Sequence, residues 1–588
     1  MVKKLLKHVG QYKTASLLTP LMMVFEVLME TLIPYVIAML IDEGIQKQQM
    51  DKVLLYGLAM VGMALLSLAF GYGGGYFGAK ASSGFAANLR NAMYRNIQTF
   101  SFSNIDKFST AGLVTRMTTD VTNVQNAYQM CLRIAIRAPM TLILSMIMCF
   151  AIDAHLSSIF LIAVVFLIVC LVLIVKFATS RFRKLFKGYD ALNASVQENV
   201  SAVRVVKAFV REDYESEKFS KAAGNLSSMG KAAEKIVILN SPVMMFTVYT
   251  CIIMLSWLGA KYILPPYSTL TTGGLTSLFS YVMATLMSLM MLSMIFVMLT
   301  MSMASGQRIA EVLDEQADLT NPENPVMTVK DGSIDFDNVT FAYKTGTGEP
   351  TLRDINLHIK AGETIGIIGG TGSGKTSLVS LVSRLYDVRD GAVRVGGVDV
   401  RKYDMEVLRN NVAVVLQKNE LFSGTILENL RWGKEDATLE ECREACRQAC
   451  ADDFVMANEE GYERRIEQGG TNVSGGQKQR LCIARALLKH PKVLILDDST
   501  SAVDTATDAR IREAFNTRIP GTTKLIIAQR ISSVMAADRI IVLDDGKVTA
   551  FDSHDNLMQT SQIYREIYET QTKGGGDFDQ PGVGGEQA

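Results

Sequence analysis

Four stretches of this chain run for 20 residues or more without a charged side chain, at 53–79, 156–175, 239–260 and 267–307. A helix needs about 20 apolar residues to cross the hydrocarbon layer of a bilayer. Inside that layer the backbone must satisfy its own hydrogen bonds, so such segments are helices. Two further stretches are less clean. Residues 14–41 are interrupted by Glu26 and Glu30, and 138–152 is short unless Arg133 or Arg137 snorkels toward the interface. Together they predict six membrane helices, all before residue 310.

The distribution of cations sets the orientation. The connections at 43–52, 153–155 and 261–266 are brief and poor in Lys and Arg, whereas 80–137 and 176–238 are long and rich in them. Positive loops stay in the cytoplasm. The apolar periodicity of the long segments predicts helices that continue past the membrane, with short tips near 102–120 and 203–214. Residues 1–13 alternate Lys and Leu, which predicts an interfacial amphipathic elbow rather than a cleavable signal.

Beyond residue 308 the composition changes to Glu, Asp, Asn and Pro, with Asn321-Pro322-Glu323-Asn324-Pro325 breaking any helix. The organisation read from this is a membrane domain at 14–307, a linker at 308–330, a second domain at 331–572 and a disordered Gly-rich tail at 573–588. Lys plus Arg and Asp plus Glu both number 59, so no basic excess is available for a nucleic acid.

Residues 369–376 of the second domain read GGTGSGKT, between an apolar run at 364–368 and a helix-like 377–382. This is the strand, glycine turn and helix start of a P-loop, in an α/β domain that binds a nucleoside triphosphate. Gly369, Gly370, Gly372 and Gly374, with Thr371 and Ser373 between them, let backbone N–H groups turn inward onto phosphate. Lys375 then reaches the β- and γ-phosphates, Thr376 holds Mg²⁺, and Ser377 opens the helix. Cys442, Cys446 and Cys450 recur every four residues, which raises a metal site. No CxxC pair or neighbouring His completes one, and an apolar helix stripe is the preferred reading.

Val493-Leu494-Ile495-Leu496-Asp497 reads as a buried strand ending in a carboxylate suited to Mg²⁺, the form of a Walker B segment. Val473-Ser474-Gly475-Gly476-Gln477 precedes a helix. With these three motifs the chain resembles ATP-binding cassette exporters of the half-transporter type: an all-α, six-helix, exporter-like (type IV) membrane domain fused to an α/β P-loop domain. The resemblance covers nearly the whole chain. It implies ATP and Mg²⁺ as ligands, with Tyr343 stacking on adenine and Gln417 touching Mg²⁺ beside Thr376 and Asp497. It also implies that Val473, Ser474, Gly475, Gly476 and Gln477 cap the ATP of an opposing cassette, and that Ser501 and Asp504 belong to the D-loop. The resemblance further implies that two cassettes close head to tail around two ATP molecules, that the tips act as coupling helices and that the spans lie in the plasma membrane.

Two positions depart from the family pattern. Asp498 stands where a catalytic Glu follows Walker B, and Gln529 stands where the switch His belongs. Asp is one methylene shorter, and loss of general-base help costs about 10² to 10⁴ in rate. Gln takes no proton. With a nearly intact signature, this resembles the degenerate-site half of bacterial heterodimeric multidrug exporters, which implies a second, different half-transporter with an intact catalytic Glu and switch His. The expected substrate is a small amphipathic compound. A lipid or peptide exporter, or a nucleotide-sensing regulatory subunit, is consistent with the same motifs. Glu26 and Glu30 share a helix face and are candidates to meet cationic substrates, or are polar helix contacts. Met283, Met287, Met290, Met291, Met294 and Met298 offer a soft surface to apolar ligands or ordinary helix packing.

Overall fold

The computed structural model describes residues 1–264, 270–343, 348–498 and 505–573. They form two compact units, Met1–Gln98 with Ala111–Glu315, and Thr99–Thr110 with the chain from Gln316 onward.

The first unit is helical. A short α1 (Val2–Leu6) leads into α2 (Lys13–Met39) and α3 (Met50–Thr99). After the tip helices α4 (Phe102–Phe108) and α5 (Thr110–Thr115) come α6 (Val121–Ile152) and α7 (Ala154–Ser201). A second tip, α8 (Val203–Ala208), separates α7 from α9 (Glu212–Ile238), followed by α10 (Asn240–Ile263) and α11 (Thr272–Asp314). Among the described residues six helical segments are long and apolar enough to cross a membrane. The last helix continues past residue 307 to Asp314, where Lys4 of the elbow meets its carboxylate at 2.8 Å.

This unit has a buried apolar core but, unlike a soluble bundle, also exposes large apolar side chains along its helices. Leu54, Leu58, Leu65 and Leu68 of α3 are exposed, as a lipid-facing surface requires. Gly74 and Gly78 of α3 instead face inward. A Cβ at Gly74 would lie 2.2 Å from Met23 Cε, and one at Gly78 would crowd Thr19 and Arg133. The run therefore serves close approach of α2 and α6 to an unbroken helix. Two interior hydroxyls pair with backbone of a neighbouring helix: Tyr281 Oη donates to the Thr31 carbonyl at 2.7 Å, and Ser302 Oγ to the Asn123 carbonyl at 2.7 Å.

The second unit holds a four-stranded antiparallel sheet of β1 (Ile334–Phe341), β2 (Leu352–Ile359), β4 (Asp390–Val395) and β5 (Val398–Asp399), in the order β2-β1-β4-β5. Its main sheet contains β3 (Thr364–Gly369), β6 (Val412–Val415), β9 (Val493–Asp497), β10 (Thr523–Ile527), β11 (Arg539–Asp544) and β12 (Lys547–Asp552). Between β6 and β9 in sequence lies a small pair, β7 (Gly424–Thr425) with β8 (Arg465–Ile466). The main order is β12-β11-β3-β10-β9-β6, with all strands parallel except the edge strand β12. β9 and β10 are buried along their full length, in keeping with the apolar runs Val493–Leu496 and Leu525–Ile527. Because the strands are parallel, the turns after β3, β6, β9 and β10 emerge on one edge.

α4 packs within this second unit. Asn104 Nδ2 donates to the Gln316 carbonyl at 3.0 Å, Ser103 Oγ to Asp318 at 2.8 Å, and Tyr386 Oη to Asp106 at 2.8 Å. Val326 bridges to Tyr403, so the chain entering the unit is tied to it before the first strand begins.

Candidate functional site

The common edge of the parallel strands assembles residues far apart in sequence. β3 ends at Gly369, β9 at Asp497, β10 at Ile527 two residues before Gln529, and β6 at Val415 two residues before Gln417. Register pairs Ile527 with both Ile367 and Asp497, which sets the P-loop, the Walker B carboxylate and Gln529 side by side.

The P-loop conformation depends on glycine where the backbone is tightest. Gly369 has φ 155°, and a Cβ there would lie 2.1 Å from the Leu543 carbonyl oxygen. Gly374, at φ 96°, is the uncapped N-cap of the helix Lys375–Val382, α12, so its first N–H groups face the loop without a side-chain acceptor. Lys375 Nζ donates to the carbonyls of Gly369 at 2.9 Å and Gly370 at 2.8 Å. Ser373 Oγ is buried without a hydrogen-bond partner among the described residues. A lysine with no ion-pair partner among the described residues, open N–H groups and an orphaned hydroxyl suit a polyanion.

Thr376 Oγ1 donates to Asp497 Oδ1 at 3.1 Å, and these oxygens with Gln417 are the donors available to a hard cation. Burial pushes the Asp497 carboxyl above its usual range, opposed by the Thr376 bond and by Lys375. Burial lowers the Lys375 ammonium, and the two aspartates oppose that shift. Asp498 is 9 % exposed and sits at φ 48°, a region Asp tolerates better than most residues. Gln529 Nε2 donates to its Oδ2 at 2.6 Å, and Gln417 donates to it as well. Burial raises this carboxyl, against the pull of both amides. Gln571 holds the turn that carries Gln529: its Nε2 donates to the Gln529 carbonyl at 2.9 Å and its Oε1 accepts from Ile531 N–H at 2.7 Å. Sequence reasoning missed Gln571, which lies in a helical segment with no motif.

Residues 17–290 match the family described as ABC transporter transmembrane region, and residues 352–501 match the family described as ABC transporter. The chain is 35% identical over 570 residues to the uncharacterized ABC transporter ATP-binding protein YfiB of Bacillus subtilis, covering 97% of this chain and 98% of that protein. The chain belongs to the ABC transporter family. It is 31% identical to the uncharacterized ABC transporter ATP-binding protein YknU of the same organism, over 97% of each chain. Its fold matches a solved structure of a bacterial Atm1-family ABC exporter with ATP bound, at TM-score 0.79 and 22% identity, covering 96% of this chain and 98% of that one. It is an ABC transporter with fused membrane and ATP-binding domains and an exporter-like fold, a multi-pass plasma-membrane protein whose ATPase domain lies in the cytoplasm.

In this ABC transporter the residues 473–477 lie at the start of the helix Gly475–Leu487. Ser474 and Gln477 cap it reciprocally: Gln477 N–H donates to Ser474 Oγ at 3.3 Å, and Ser474 N–H to Gln477 Oε1 at 3.1 Å. Val473 packs on the core while Ser474 and Gly475 are exposed. No hydrogen bond among the described residues joins 473–477 to 369–377. Ser501 and Asp504 lie outside the described residues, as does the tail from 574. Cys442 and Cys446 are buried in the hydrophobic core, and burial pushes the Cys446 thiol up to about 12.

The structure places Tyr343 with its Oη 2.8 Å from Ser377 Oγ of the P-loop helix. Its ring meets Tyr386 edge-on at 5.2 Å, and Tyr386 in turn reaches Phe102 and Asp106 of α4. Tyr386→Phe removes a bond to a carboxylate worth about 1.5–3 kcal/mol, the lower end applying at an exposed site. Amide exchange in Phe102–Phe108 is expected to accelerate about tenfold, with β3 unchanged. Hydrogen–deuterium exchange of both segments checks this.

In the membrane domain Arg137 bridges the two candidate carboxylates, with Nη1 2.9 Å from Glu26 and Nη2 2.8 Å from Glu30. A cavity of about 490 Å³ lies beside it, walled by Arg133, Arg137, Asn126 and Gln129 and by methionines of α2, α6 and α11. Met291, Met294 and Met298 of the methionine stripe line this cavity.

Proposed function

We propose that this chain is the degenerate-site half of a heterodimeric exporter of amphipathic compounds. The observation that carries this reading is Asp498 held by two amides, with Gln529 in place of an imidazole. A general base must reach the water it activates, and a short carboxylate engaged by Gln529 and Gln417 is poorly placed to do so. Gln529 keeps a hydrogen-bond donor at the phosphate edge but carries no titratable proton.

ATP fits the P-loop features described above, with Lys375 and residues 369–374 on the phosphates and Tyr343 near the base. Thr376, Asp497 and Gln417 would hold Mg²⁺, which neutralises charge on the transferred phosphoryl group. Ser474 and Gly475, exposed at a helix start beside the half-buried Gly476 and Gln477, suit the ATP held by a second chain. A two-chain assembly is further supported by two apolar surfaces. The tip beyond α8 exposes Phe209 and Val210, at 73 % and 80 %, and the ATPase domain carries a groove of about 340 Å³ with exposed Leu416, Phe422 and Trp432. The partner supplies the catalytic Glu and switch His for the second site.

Inverted vesicles containing this chain co-expressed with a second half-transporter test the reading. ATP-dependent accumulation of an amphipathic dye, lost with Lys375→Ala, is expected. Accumulation equal with or without ATP, or with this chain alone equalling the pair, would contradict it.

A further inference from the structure

We infer that the membrane cavity selects amphiphilic anions, an inference that rests on the exporter reading and names its substrate class. The sequence directs attention to Glu26 and Glu30 as sites for cations, but in the structure neither carboxylate lines the cavity. Arg137 occupies both, and Glu26 turns away against α3, where a Cβ at Gly71 would lie 3.1 Å from its Oε1. The charged groups that form the wall are the guanidinium groups of Arg133 and Arg137, four residues apart on one face of α6. Arg133 Nε is buried without a hydrogen-bond partner among the described residues. Glu26 Oε2 also lacks one, so the charges of the quartet cancel in sum; yet the cations stand at the wall and the acids behind them.

A guanidinium that lines an apolar cavity and forms no ion pair among the described residues favours an occupant with negative charge. Asn126 and Gln129 add neutral amides on the same helix, and the methionines of α2, α6 and α11 add an adaptable apolar lining. A volume of about 490 Å³ lies within the range of small-molecule sites. The occupant that satisfies all of these is a molecule with a carboxylate, sulfonate or phosphate head and an apolar body. Arg133 would hold the head, while Arg137 stays committed to its two carboxylates.

Three probes sharing one apolar body test this: pyrenebutyrate, pyrenebutanol and pyrenebutylammonium. Binding to the full chain in nanodiscs of neutral phosphatidylcholine is measured by equilibrium dialysis, with empty nanodiscs subtracted and without ATP. Pyrenebutyrate is expected to bind at least about tenfold tighter than pyrenebutylammonium. Arg133→Gln should weaken pyrenebutyrate about tenfold and leave pyrenebutanol within about twofold, while Arg133→Lys, which keeps the charge and guards against misfolding, should retain most of the affinity. Equal or tighter binding of the ammonium, equal weakening of all three probes by Arg133→Gln, or no saturable binding would overturn the inference. Because ATP plays no part in this readout, such a failure is separate from failure of ATP-dependent uptake, which would contradict the exporter reading itself.

Discussion

Gly475→Asp in the assembled pair of half-transporters is expected to reduce ATP turnover and transport about a hundredfold or more, whereas Asp498→Asn leaves both within about threefold. The difference follows from the head-to-tail arrangement proposed above. Gly475 is exposed in the first turn of its helix, next to the reciprocal cap of Ser474 and Gln477. An aspartate there places a negative charge and three heavy side-chain atoms beyond Cβ where the phosphates of the partner's ATP would approach. Asp498 lies on the chain's own P-loop edge, among Gln417 and Gln529, and on the proposed arrangement acts only on the slow site. Steady-state turnover of both variants, with assembly checked by co-purification, measures the effect. If Asp498→Asn is as damaging as Gly475→Asp, Asp498 is a working base and the assignment of slow and fast sites fails.

The double replacement Asp498→Glu with Gln529→His is expected to raise ATP turnover of the isolated chain by about 10² to 10⁴, the usual contribution of a general base. The longer carboxylate gains reach, and the imidazole replaces an amide that now binds the carboxylate at 2.6 Å. Stability should move the other way. Position 498 has φ 48°, where a residue other than Gly, Asn or Asp costs about 1–2 kcal/mol. Thermal unfolding and turnover measured on one preparation therefore shift in opposite directions. Unchanged turnover with intact ATP binding would show that these two positions do not limit hydrolysis.

The motifs that could be read from sequence are those whose chemistry needs neighbouring residues. Gly369 to Thr376 and Asp497 announce themselves because a phosphate cradle and a strand-end carboxylate are local. The six membrane helices were equally accessible, since crossing a bilayer imposes a length on each apolar run. What escaped was long-range pairing. Arg137 reaches Glu26 across 111 positions, Tyr386 reaches Asp106 across 280, and Gln571 reaches Gln529 across 42. Each of these side chains is ordinary in its local context, so periodicity gives no sign of its partner. The α3 glycines are an intermediate case: a glycine cluster permits either bending or close helix approach, and only the packing shows Met23, Thr19 and Arg133 against Gly74 and Gly78.

The most direct measurement is steady-state Mg-ATPase activity of the purified chain alone, beside the amount of radiolabelled ATP it retains. With Lys375, Thr376 and Asp497 in place but Asp498 and Gln529 at the catalytic edge, the chain is expected to bind ATP and turn it over slowly, about 10² or more below a pair supplied with a catalytic Glu. Rapid turnover by a verified homodimer of this chain would contradict the degenerate-site reading.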